Sequence, residues 1–153
     1  KVRTLEGKFG SALLENGKGL KSDLNFWLRG LRSADGRAYK PTIDQLKANV
    51  SAEGVIPLTV RDAIKLPLSP RGVALLRKRI EAQKALKEAV QAQANQIRQA
   101  YIGTLKLKQE AATKAGNASG ARAILNEINA CGATGRAFLE HLGSGVLDTA
   151  EGR

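Results

Sequence analysis

Two different hydrophobic periods divide the chain. In the first fifty residues the apolar positions are read as strands. Residues 2–14 carry Val2, Leu5, Phe9, Leu13 and Leu14, interrupted by Gly7 and Gly10. Asn16-Gly17 follows, a pair whose easy positive φ suits a tight hairpin. Residues 20–33 then alternate: Leu24, Phe26 and Leu28 fall on one face, Trp27, Arg29 and Leu31 on the other. Asp35-Gly36 is a second turn signal, and residues 37–43 continue as a third strand whose end Pro41 confines to a sheet edge. This predicts an antiparallel meander of at least three strands, with Gly7, Gly10 and Gly30 permitting the bends of a small barrel. The stretch also admits a helical period, since Leu24, Trp27, Leu28 and Leu31 fit one helical face.

From Ser69 onward the period is helical. Residues 47–69 form a connector in which Pro57, Pro67 and the following Pro70 prevent a long helix, while Thr59 is placed to cap one or two turns. Ser69 then reads as an N-cap and Pro70 as a first-turn residue. Val73, Leu76, Ile80, Leu86, Val90, Ala94, Ile97, Tyr101 and Leu105 recur mostly at steps of three and four. A continuous helix over residues 71–115 would extend about 65–70 Å at about 1.5 Å per residue. Gly116 is expected to end it, Asn117 or Ser119 to open a second helix bearing Ala121, Ile124, Leu125 and Ile128, and Thr134 to precede a short third. The predicted fold is therefore α+β and helix-dominated. It comprises a small β module at 1–46, a connector at 47–69, a helical hairpin with a short third helix at 70–143 and a flexible tail at 144–153.

The N-terminal pattern resembles a known family. Residues 2–9, VRTLEGKF, followed by a polar turn and then LRGLRSADGRAYKPTIDQL, are similar to the SH3-like SLA-type homology domain of bacterial secreted and envelope proteins. Ala34-Asp35-Gly36-Arg37 stands at that domain's hairpin and residues 43–46 at its exit segment. Tyr101, Leu105, Ala115-Gly116, Ala121, Ile124, Glu127 and Ile128 likewise resemble a helical hairpin that recurs in the same proteins. The resemblance implies an SH3-like barrel acting as a binding module without catalytic residues. Trp27 and Tyr39 are the candidates for a peptide groove on such a barrel, or else anchors of its small core.

Composition narrows the partners. Among 153 residues 42% are apolar, which supports a packed core, and no run approaches the roughly 18 apolar residues of a membrane span. Twenty-five Lys and Arg against fourteen Asp and Glu give a net charge of +11, which favours anionic partners. The long helix concentrates cations, with Arg77, Lys78, Arg79, Lys84 and Lys87 as the candidate anion-binding set; a solvated helix face would have the same composition. The Met-free chain starting at Lys1 looks processed, which favours export to the periplasm or outside the cell.

Little in the sequence points to a reaction. With one cysteine, Cys131, no intrachain disulfide and no cysteine zinc site are expected, and with His141 the single histidine, metal chemistry would need carboxylates. A Cys131–His141 nucleophile pair lacks an orienting Asn or Asp at recognisable spacing, and Glu127 and Glu140 read as surface helix charges. Gly17-Lys18-Gly19 lacks the further residues of a phosphate loop. The expected function is a non-catalytic interaction or scaffold protein, without metal or cofactor. It would assemble with itself or in a larger complex along Ile80, Leu86, Val90 and Ile97 and bind an anionic or protein partner. The alternative is a basic nucleic-acid-binding protein of a packaging or ribonucleoprotein kind.

Overall fold

Leu5, Phe9, Leu13, Asn16, Leu20, Leu24 and Trp27 follow one another at steps of three or four, and all seven are buried. That is the periodicity of one helical face. In the computed structural model, which describes residues 1–151, they lie along a single helix, α1 (Val2–Gly30). After it come α2 (Ser33–Asn49), α3 (Val60–Ile64), α4 (Pro70–Lys114), α5 (Ala118–Ala130), α6 (Gly135–His141) and α7 (Val146–Glu151). No strand occurs among the described residues, so the predicted α+β class and its SH3-like sheet are overturned. Phe26, grouped with Leu24 by the strand alternation, is instead 80% exposed.

The two turn signals have other uses. Asn16 is buried within α1, and its Nδ2 donates to the Arg79 carbonyl of α4 at 2.9 Å. Gly17 lets the loop at Gly54 approach the helix, since a Cβ there would come 2.5 Å from the Gly54 carbonyl oxygen. Asp35 and Gly36 lie in the first turn of α2, where the Gly36 N–H donates to the Arg32 carbonyl at 2.8 Å. Pro41, expected at a sheet edge, sits inside the same helix. The capping signals of the second half hold. Thr59 forms a reciprocal capping box with Asp62, Gly116 takes φ +74 after α4, and Asn117 accepts from the Gly120 N–H. Of the tail expected to be flexible, residues 146–151 are helical and Leu147 is buried; residues 152–153 lie outside the described residues.

The chain forms two compact units, and α1 and α4 contribute to both. In the unit containing residues 7–87, Leu20, Leu24, Trp27, Ile43, Leu46, Val50, Ile56, Ala63, Leu76 and Ile80 make one core drawn from α1, α2, α3, α4 and the loop before α3. Gln83 serves that loop: its amide accepts from the Ile56 N–H at 2.8 Å and donates to the Ile56 carbonyl at 3.1 Å. The unit of residues 1–6 and 88–147 buries Leu5, Val90, Ala94, Leu105, Cys131, Phe138 and Leu139. In it α5 folds back beside α4, and α6 starts close against α4 at Gly135. Among the described residues no helix is long and apolar enough to cross a membrane.

Candidate functional site

The end of α5 and the whole of α6 bring unlike donor groups together. Cys131 is the C-cap of α5, with its N–H on the Glu127 carbonyl at 3.1 Å. Gly132 follows at φ +70, a left-handed conformation that ends the helix sharply. Thr134 then caps α6 by accepting from the Ala137 N–H at 3.1 Å. With only Cys131 to Thr134 between the helices, α6 returns at once, and its last residue, His141, reaches the last turn of α5.

His141 Nε2 lies 2.9 Å from Glu127 Oε1, and the Tyr101 hydroxyl of α4 donates to that oxygen at 3.1 Å. The Cys131 sulfur completes the group: one donor atom each from Glu127, Cys131 and His141 lie within 4.8 Å of one another. Arg98 braces the turn by donating from Nε to the Gly132 carbonyl at 2.8 Å and from Nη1 to Asn95 at 3.0 Å. Tyr101 also stacks obliquely on Phe138 with ring centres 6.0 Å apart, which ties α4 to α6.

The electrostatics of the group follow from these contacts. The hydrogen bond from His141, assisted by Tyr101, holds the Glu127 carboxyl below its usual range. Burial raises the Cys131 thiol, the Glu127 charge raises it further, and Arg98 opposes both. Partial desolvation and the bond to Glu127 raise Tyr101. A nucleophilic cysteine needs an exposed thiolate. Cys131 is fully buried, so its sulfur is not presented to a substrate arriving from solvent.

The residues nominated from sequence fare differently. Arg77 pairs with Glu81 at 2.9 Å, and Arg79 pairs with Asp23 at 2.8 Å beside the Asn16 bond. Lys84 and Lys87 also have interaction partners in the chain, and Lys78 is exposed. Trp27 and Tyr39 stack on each other at 5.5 Å, with Trp27 buried in the core rather than open in a groove. Within the assembly stripe, Ile80 and Val90 are 7% and 2% exposed, and Ile80 shares a core with Leu20, Leu24 and Trp27 of α1, a helix where strands had been expected. Leu86 and Ile97 are half-buried. Sequence reasoning paired Cys131 with His141 but did not add Glu127, although Glu127 stands one helical turn before Cys131. No protein-family model matches the chain, nor does any curated protein or solved structure.

Proposed function

We propose that the protein is a non-catalytic scaffold that self-associates through the hairpin of α4 and α5. The observation that carries this reading is the poor burial of α5. This helix has thirteen residues and a clear apolar face, yet none of its residues is buried. Ile124 and Ile128 are half-buried, and Leu125 is 43% exposed. Nearby in the hairpin, Leu107 of α4 is 69% exposed. A helix of that length is marginal by itself and depends on tertiary burial, so a second copy of the hairpin covering this surface would supply what the single chain lacks.

Amide hydrogen exchange tests the proposal directly. The α5 amides should exchange readily in dilute protein and gain protection as concentration rises, while amides of residues 7–87 stay unchanged. Protection of α5 that is independent of concentration would contradict it.

A second reading, an anionic partner such as nucleic acid, draws on the charge of residues 7–87, where sixteen Lys and Arg face seven Asp and Glu. The two respond oppositely to salt. Phosphate binding weakens steeply as salt rises. Apolar association of a chain carrying +11 strengthens, because salt screens the repulsion between copies.

A further inference from the structure

We propose that Glu127, Cys131 and His141 form a site for one divalent transition-metal ion of the zinc class, with water as the fourth ligand. Three features of the structure lead there. The first is donor chemistry. Sulfur, imidazole nitrogen and carboxylate oxygen are the ligand types zinc takes, and a thiolate with a carboxylate neutralises the dication. The second is spacing. Metal–ligand distances of about 2.3 Å for sulfur and about 2.0–2.1 Å for nitrogen and oxygen place tetrahedral donors roughly 3.3–3.7 Å apart. The donors here already lie within 4.8 Å, and the 2.9 Å His141–Glu127 contact has only to widen slightly to admit an ion.

The third feature is the surrounding support. Tyr101 holds the Glu127 carboxylate by its hydroxyl, the kind of outer contact that orients a metal-binding carboxylate. Arg98 fixes the carbonyl next to Cys131, and the Gly132 turn sets the distance between the two helices. The thiol is enclosed, yet the side chains of His141 and Glu127 keep 28% and 36% of their surface open, which leaves an entry path and room for a water ligand. On binding, Cys131 releases its proton to solvent and the sulfur lone pair forms the bond to the metal. No redox step is involved. A plain His–Glu contact beside a packed cysteine is the competing description, and it requires no affinity for metal.

Titration of the full chain with Co²⁺ separates the two. The site predicts saturation at one ion per chain, the visible bands of tetrahedral cobalt, a thiolate-to-cobalt charge-transfer band, and loss of all three when Zn²⁺ is added. Cys131→Ser should abolish the charge-transfer band. Because Cys131 is buried, the half-exposed ligands carry the test independently of folding: Glu127→Gln and His141→Gln should each weaken Co²⁺ binding by at least about tenfold, with helicity unchanged. Tyr101→Phe should weaken it by about tenfold through the carboxylate it holds. Absence of a charge-transfer band in the unaltered protein would overturn the proposal. So would a band whose affinity is indifferent to both Glu127→Gln and His141→Gln, since the thiol would then be binding cobalt alone.

Discussion

Gln83 is a polar side chain set among the buried positions of α4, and it satisfies both backbone groups of Ile56. Gln83→Ala would leave an N–H and a carbonyl without partners in a buried loop. At about 1–3 kcal/mol for each of the two unsatisfied buried groups, urea denaturation should show a loss of about 2–6 kcal/mol. A surface contact behaves differently. Lys40 bonds to Asp44 at 2.6 Å and Lys47 stands 3.7 Å away, so the Asp44 carboxyl is held below its ordinary 3.8, with the Lys40 hydrogen bond as the main cause. A carboxyl lowered in the folded state stabilises above its unfolded pKa, and that contribution disappears as pH falls through the folded value. An NMR titration should find the Asp44 midpoint below 3.8, and Lys40→Gln should move it upward. At this scale the sequence was least legible. Asn16-Gly17 has the composition of a hairpin turn, but its side chain bonds to Arg79 and its glycine accommodates Gly54, both distant in the chain. The site suffered likewise: Cys131 stands one helical turn from Glu127, but His141 is ten residues further on, and the sharp break at Gly132 is what returns it to that pair.

Among the elements, those with strong end signals were readable. Ser69-Pro70 before α4, Gly116 after it, and Asn117 and Thr134 before the next helices mark boundaries through local chemistry alone. For α1 both periods were present, and the glycines tipped the reading toward strands. The buried series from Leu5 to Trp27, twenty-three residues long, is the longer-range signal, and burial of Leu20, Leu24 and Trp27 with residues of α2 and α4 makes it decisive over propensity. Two left-handed glycines give a paired test of element connections. Gly116, at φ +74, has open space around the place of a Cβ, so Gly116→Ala should cost about 1 kcal/mol for backbone conformation alone. Gly54, at φ +90, faces α1, where a Cβ would lie 2.5 Å from the Leu14 Cα. Gly54→Ala should therefore cost clearly more, about 2–4 kcal/mol in the same urea experiment, by adding a backbone clash to the conformational term.

For the whole molecule, a charge of +11 opposes self-association, so any assembly must draw on apolar surface. The charge was legible from composition, but its distribution was not, because ion pairs such as Arg79–Asp23 form only when α1 lies along α4. The location of the unburied apolar surface also required the structure. Ile80 and Val90 are covered within the chain, whereas Leu125 and the face of α5 are not. Sedimentation velocity over a range of protein and salt concentrations is the most direct measurement of the proposed assembly. The predicted result is reversible association that grows with protein concentration, strengthens with salt, and is reduced at least about tenfold by Leu125→Glu, which places a charge on the contact. A species that remains monomeric across the full range of protein and salt would contradict it.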